Sequence, residues 1–94
     1  MRLKWTPAAS RDLDSIEEYI SADNPRAVID TVLEIIRHVS MLANHPGIGR
    51  PGRVEGTREL VIAGLPYVVA YLHRGDTVTV LRVLHAAMKW PPRF

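Results

Sequence analysis

The sequence predicts an α+β fold, in which a helical hairpin packs on one face of an antiparallel sheet and the elements follow the order β-α-α-β-β-β. Two observations lead to this prediction. Between residues 7 and 43, apolar residues recur at helical spacings of three and four. Between residues 57 and 85, three runs rich in β-branched and aromatic residues alternate with turn signals. The 94 residues fit a single domain, residues 1–94.

The first elements are a short strand and a helix. Apolar and charged residues alternate over residues 2–5, which predicts a strand with one buried face that is free to join a sheet edge. Thr6 is a good N-cap and Pro7 suits the first helical position, so we expect a helix over residues 7–21. Its apolar stripe consists of Ala9, Leu13, Ile16 and Ile20.

A second helix is predicted from Pro25 to about Ala43, with Asn24 as its N-cap. The residue before a proline is pushed out of the helical region, so the first helix has to stop here. Such a short link makes the two helices a tight antiparallel hairpin. The second apolar stripe consists of Val28, Val32, Ile35, Val39 and Leu42, widened by Ile29 and Ile36.

The remaining chain is predicted to form a loop, a three-strand meander and a tail. Residues 45–52 are rich in glycine and proline and are expected to form the loop. The strands are predicted at Thr57–Ile62, Tyr67–His73 and Thr77–His85. Two prolines keep the tail, residues 88–94, from extending the sheet. With both helices on one face of the sheet, the other face is expected to remain open for a partner.

The composition narrows the classes of function. Without cysteine, disulfides, thiolate metal sites and cysteine nucleophiles are excluded. No apolar run is long enough for a signal peptide or a membrane span, so we expect a cytoplasmic protein with no membrane partner. Residues 1–46 hold five Lys/Arg and seven Asp/Glu, whereas residues 47–94 hold seven and three. The basic half indicates an anionic partner, either nucleic acid or an acidic protein segment, or simply a solubilising surface.

Metal, nucleotide and serine-nucleophile sites lack support in the sequence. The four histidines, at positions 38, 45, 73 and 85, show no metal-ligand spacing. The glycine-rich segment 47–52 follows a helix and precedes none, which fits neither a P-loop nor a dinucleotide fingerprint. All four serines fall in predicted helices or at their ends. We therefore expect no cofactor and no metal.

The basic half contains the candidate functional residues, which are Arg50, Arg53, Arg58, Arg82 and His85. Arginine binds phosphate bidentately, and histidine exchanges protons near neutral pH. Such a set could hold an RNA backbone and, with a proton-transfer pair, cleave it. Strict alternation would place Arg82 and His85 on opposite sheet faces, so they share a site only if a bulge or a strand end intervenes.

Two of these arginines also have a purely structural interpretation. Arg58 and Arg82 could pair with Glu59, with Glu55 or with backbone carbonyls at the sheet edge. The aromatic residues allow the same two interpretations. Tyr67 and Tyr71 share one strand face and suit core packing, with base stacking as the alternative, and Trp5 and Trp90 suit packing anchors.

Several segments, in this order along nearly the whole chain, give it a resemblance to a known group of proteins. They are Ala9–Ile20, Asn24-Pro25, His45–Arg50, Arg58-Glu59-Leu60, Tyr67–Tyr71, and Val80–Met88 followed by Trp90-Pro91. With them the chain resembles the RelE/ParE superfamily of toxins from bacterial type II toxin–antitoxin modules. The pattern Arg-Val-Leu-His-x-x-Met at 82–88 is more similar to ParE, and the close lysine pair of RelE-like members is absent.

The resemblance implies a ParE-like toxin that inhibits DNA gyrase, causes growth arrest and serves plasmid stabilisation. The alternative that it implies is a RelE-like, metal-independent, ribosome-dependent mRNA endonuclease, or mRNA interferase. The catalytic residues would then be Arg58, Arg82 and His85, with the arginines stabilising the charge on the scissile phosphate and the histidine acting as acid or base.

The resemblance also implies partners. A cognate antitoxin would wrap the toxin in a hetero-oligomer, laying an apolar helix along the hairpin or adding a strand to an open edge. The target would be DNA gyrase or, under the alternative, the ribosome and mRNA. The residues expected to contact a partner or nucleic acid are Arg50, Arg53, Arg58, Lys89 and Trp90.

Overall fold

Two proline-led caps determine where the helices begin in the computed structural model, which describes all of residues 1–94. Helix α1 spans Pro7–Asp23, and the Thr6 hydroxyl accepts a hydrogen bond from the Ala9 N–H at 3.0 Å. Helix α2 spans Pro25–Met41. Asn24 ends the first helix and begins the second, because its N–H donates to the Ile20 carbonyl while its side chain accepts from the first turn of α2. Both predicted helices are confirmed, α1 ending two residues later and α2 two residues earlier than expected.

Five strands form one mixed sheet in the order β1-β5-β4-β3-β2. They are β1 Arg2–Trp5, β2 Arg50–Pro51, β3 Arg58–Val61, β4 Tyr67–Arg74 and β5 Thr77–His85. The meander and the N-terminal edge strand are confirmed, and with them the α+β fold. Strand β1 runs parallel to β5, because the helical hairpin returns the chain to its starting side, so the sheet is mixed rather than wholly antiparallel.

The short strand β2 lies inside the segment that was predicted to be a loop. Arg50 pairs with Glu59 and Pro51 with Arg58 along the edge of β3. The Gly52 N–H then donates to the Thr57 carbonyl at 2.8 Å. Pro51 has no N–H to donate, which suits a strand at a sheet edge.

The core lies between the helices and one sheet face. It is formed by Ala9, Ile16, Ile35, Val39, Leu42, Leu60, Ile62, Tyr67, Val69, Tyr71, Val78, Val80 and Val83, with Trp5 packed against it. Tyr67 and Tyr71 thus share the core face, as predicted. The hydroxyl of Tyr71 donates to the Pro46 carbonyl at 2.7 Å and accepts from the Gly49 N–H at 2.9 Å, which fixes the loop before β2.

The opposite sheet face is covered near its centre, contrary to the expectation that it stays open. Val68 and Ala70 alternate with the core residues of β4, yet they are only 2% and 0% exposed. Arg53 bonds Glu59, which is opposite Ala70, and places its guanidinium 3.7 Å from the centre of the Trp90 ring. The C-terminal tail therefore folds back along this outer face. Neither helix is long and apolar enough to cross a membrane.

Candidate functional site

A bulge in β5 places the middle of that strand against α1. Tyr71 pairs with Val80 and Ala70 with Arg82, so Leu81 is an extra residue without a partner in β4. The Thr6 hydroxyl donates to the Leu81 carbonyl at 2.9 Å, which joins the start of α1 to the bulge. The regular alternation assumed from the sequence therefore does not hold along the whole of β5.

Asp12 of α1 binds Arg82 beside this bulge. Its carboxylate accepts from the Arg82 Nε at 2.7 Å, from Nη2 at 3.0 Å and from the Val83 N–H at 2.9 Å. The hydrogen bond to Asp12 raises the pKa of Arg82 above its usual range. The partner of Arg82 is thus on α1, and the expected pairing with Glu55, Glu59 or a backbone carbonyl is wrong for this residue. Sequence reasoning missed Asp12, because nothing local marks a residue whose partner is 70 positions away.

His85 is the last residue of β5 and lies edge-on to Tyr67, with ring centres 5.7 Å apart. Its Nδ1 accepts from the Ala87 N–H at 3.1 Å, so the neutral ring carries its proton on Nε2. The Trp90 indole donates to the His85 carbonyl at 3.2 Å and ties the tail to the strand end. Burial and the nearby Tyr19 raise the pKa of Tyr67.

Arg82 and His85 line one groove of about 860 Å³, between α1 and the ends of β4 and β5. Of the two conditions set for a shared site, only the strand end at His85 is met, because the bulge at Leu81 precedes Arg82 and does not lie between the two residues. The groove is largely apolar, with Ile16, Tyr19, Ile20, Leu65, Tyr67 and Met88 among its lining residues. Tyr19 is 78% exposed, so part of this apolar lining faces solvent.

Arg58 does not join that groove. Its Nη1 donates to the Gly49 carbonyl at 2.7 Å beside the β2–β3 pair, as the structural interpretation of this residue anticipated. The structure therefore brings together two of the three candidate catalytic residues and directs the third to another part of the molecule. No three His, Asp or Glu side chains lie close enough to hold a metal ion.

A second cluster of candidate residues forms on the outer face around Glu59, whose side chain is 2% exposed. Glu59 accepts from Arg50 Nη2 at 3.1 Å and from the Arg53 N–H at 2.8 Å, and the Arg53 Nε lies 3.4 Å away. The Arg53 guanidinium also stacks on Trp90. Three predicted partner-contact residues thus share one surface, while Lys89 is exposed in the adjoining tail.

Comparison with known proteins found one matching family model, two similar toxins and one similar solved structure. Residues 3–90 match the family model described as the ParE toxin of the type II toxin–antitoxin system parDE. The chain is 46% identical over 90 residues to the putative toxin Y4kP of Sinorhizobium fredii, covering 96% of this chain and 93% of that protein. It is 35% identical over 83 residues to the toxin RelE2 of Caulobacter vibrioides, covering 88% and 92%. A solved chain of the chromosomal ParDE TA system from P. aeruginosa superimposes with a TM-score of 0.83, at 31% identity and with 90% and 95% coverage.

Proposed function

The chain belongs to the ParE family of toxins from type II toxin–antitoxin systems, and from this premise we propose that it arrests growth by inhibiting DNA gyrase through protein contact. A cognate antitoxin neutralises it by binding in the groove between α1 and the ends of β4 and β5. Both proteins then form a toxin–antitoxin hetero-oligomer.

The observation that carries the gyrase proposal is the separation of the three basic residues that RNA cleavage would need. Arg82 donates two hydrogen bonds to Asp12, and Arg58 donates to the Gly49 carbonyl on another part of the molecule. A phosphate-cleaving site needs cationic donors aimed together at the developing charge. Inhibition by surface contact has no such requirement.

The contact surface for the target is the outer-face cluster with the adjoining tail. Arg50 and Arg53 keep 55% and 44% of their side chains exposed although both bind Glu59. Lys89 extends the positive charge, and the ring of Trp90 gives the surface a rigid aromatic centre. A basic surface with an aromatic anchor suits an acidic protein segment or the DNA that gyrase holds.

The groove suits the antitoxin. Its lining is mainly apolar and partly exposed, which favours the apolar face of an amphipathic helix that folds on binding. The Asp12–Arg82 pair and His85 add polar groups that can orient the helix. The similarity to a solved chain from a ParDE system supports a cognate antitoxin of this kind.

Conditional expression with two readouts tests the gyrase proposal. We expect gyrase-linked DNA breaks and an SOS response while translation continues, and loss of gyrase supercoiling activity when the purified chain is added. The double variant Arg53→Ala and Trp90→Ala should keep its helices and sheet, as circular dichroism can show, and should weaken this inhibition. Early translation arrest with mRNA cleavage in ribosomal A-site codons would contradict the proposal.

That contrary result would support the RelE-like alternative, which the similarity to RelE2 and the shared groove of Arg82 and His85 favour. In that case His85 is the acid or base, and its free Nε2 is the reacting atom. His85→Ala would then abolish mRNA cleavage. Under the gyrase proposal the same variant, when folded, remains toxic.

A further inference from the structure

Helix α2 has an apolar face that is wider than the surface it packs against. Val28, Ile35 and Val39 are buried. On the adjacent side of α2, Ile29, Leu33 and Ile36 are 62%, 59% and 41% exposed. These three residues follow the spacing i, i+4, i+7 and form a continuous strip, called here the α2 stripe. Contiguous exposed apolar surface of this kind marks an interaction site.

The α2 stripe is separate from the groove assigned to the antitoxin. The only α2 residue that lines the groove is Thr31, which points to another side of the helix than the stripe. An antitoxin helix in the groove would therefore leave the stripe uncovered.

The charges beside the α2 stripe are complementary to a second copy of the same stripe. Asp30 and Arg37 lie on one flank, each directly after a stripe residue and seven positions apart. The other flank carries Val32 and Val39, of which Val39 is buried in the chain's own core. In an antiparallel helix pair, flanking residues on the same side of each helix face one another. Asp30 of each helix then meets Arg37 of the other.

We propose that two copies of this chain associate through their α2 stripes, with the helices antiparallel about a two-fold axis. The pairing places Leu33 opposite Ile36 of the second copy, and it forms two symmetric Asp30–Arg37 ion pairs. Arg37 already holds Glu34 through Nε and Nη2, which leaves Nη1 for the carboxylate of the second copy.

The charge pattern also selects this register. Sliding one helix so that Leu33 meets Ile29 of the second copy would place Asp30 against Asp30, which is repulsive. A parallel pair would give Asp30 and Arg37 no opposite charge, because the facing flank carries only Val32 and Val39. With three apolar side chains from each copy, the interface is small, and we expect reversible dimerisation rather than an obligate dimer.

A charge-swap series in sedimentation velocity of the full chain tests the proposal. We expect a concentration-dependent monomer–dimer equilibrium between about 10 μM and about 1 mM. Asp30→Arg and Arg37→Asp should each weaken dimerisation about tenfold, because both ion pairs of the dimer become repulsive. The double variant Asp30→Arg and Arg37→Asp restores both pairs and should dimerise like the original chain. Leu33→Glu should abolish the dimer.

Asp14→Arg, on the exposed surface of α1, is the matched control and should leave dimerisation unchanged. Circular dichroism on every variant separates a lost interface from a lost fold. A chain that stays monomeric over the whole range overturns the proposal and leaves the stripe to a different protein. Failure of the double variant to recover dimerisation overturns the antiparallel register.

Discussion

Asp12 joins two parts of the fold that are distant in sequence. Its half-buried carboxylate accepts three hydrogen bonds from β5, two from the Arg82 guanidinium and one from the Val83 N–H. The Val83 N–H lies just beyond the bulge, where β5 has no β1 neighbour to accept its hydrogen bond. Asp12 therefore replaces a missing strand at this point, and it neutralises Arg82 at the same time.

We expect Asp12→Asn to lower the free energy of unfolding by about 2 kcal/mol, since charge-assisted hydrogen bonds to Arg82 are lost. Urea unfolding followed by circular dichroism measures the effect. Asp14→Asn, on the exposed surface of the same helix, should change stability by less than about 0.5 kcal/mol. Equal losses in both variants would show that the Asp12 contacts contribute nothing specific.

Tyr67 and Tyr71 make the stability of the protein depend on alkaline pH. Burial raises the pKa of both phenols above 10.0. The folded state therefore keeps its phenolic protons at a pH where the unfolded chain already loses them. Stability should be complete below about pH 10 and fall as the pH rises above that value. Tyr71→Phe should flatten this fall, measured by urea unfolding between pH 8 and pH 11, and an equally steep fall in that variant would contradict the role of Tyr71.

At the scale of elements, the loop before β2 and the C-terminal tail are each held against the sheet by one set of contacts. The loop before β2 passes directly over the ring of Tyr71, where Gly49 donates its N–H to the phenol oxygen. On the outer face, Arg53 connects buried Glu59 to Trp90. These two contacts hold the loop and the tail, neither of which has enough secondary structure to hold itself.

Gly49→Ala should destabilise the protein by about 1–3 kcal/mol, because the added Cβ would lie 2.5 Å from the Tyr71 hydroxyl oxygen. Thermal unfolding measures the change. The matched control is Gly47→Ala, two residues earlier in the same loop, where no atom lies within 4 Å of the new Cβ. A similar fall in Tm for both variants would contradict the proposed clash.

Arg53→Ala should release the C-terminal tail, since it removes the guanidinium that contacts both Glu59 and the Trp90 ring, while the backbone N–H of residue 53 can still bond Glu59. Trypsin should then cut after Lys89 faster, with the products identified by mass spectrometry. Arg50→Ala is the control, because Arg50 also binds Glu59 but has no contact with Trp90. Equally faster cleavage in both variants would show that the tail is held through the ion pairs with Glu59 and not through the Arg53–Trp90 contact.

At the scale of the whole molecule, three separate surfaces remain available to partners. The groove beside α1 is apolar with a few polar groups, the outer face is basic, and the α2 stripe is apolar with flanking opposite charges. The core lies between them, with Arg82 at the groove, Arg50 and Arg53 on the outer face, and Arg58 bonded to the loop before β2. An antitoxin, a target and a second copy could therefore bind without competing for one site.

Tyr19→Asp should reduce neutralisation by the cognate antitoxin while toxicity remains, because a carboxylate replaces an aromatic ring at the groove wall. Growth on co-expression of toxin and antitoxin measures neutralisation. Ile29→Asp makes the same kind of change on the exposed side of α2, outside the groove, and should leave neutralisation intact. Loss of neutralisation in the Ile29 variant alone would indicate that the antitoxin binds the α2 stripe and not the groove.

The elements whose signals are local could be predicted from the order of the amino acids. Thr6-Pro7 and Asn24-Pro25 begin the helices, because capping and proline geometry involve residues only a few positions apart. The apolar alternation and the turns likewise determined the meander and its order. The residues that carry the family resemblance lie along these same elements, so fold and family could both be predicted.

The tertiary structure alone decided how the candidate site is assembled. The bulge at Leu81 lies where the edge of β5 passes from pairing with β1 to contact with α1, and the Asp12–Arg82 pair joins residues 70 positions apart. Strand β2, the tail on the outer face and the separation of Arg58 from His85 depend equally on distant contacts. Such contacts form only when packing brings remote segments together, so local patterns along the chain do not predict them.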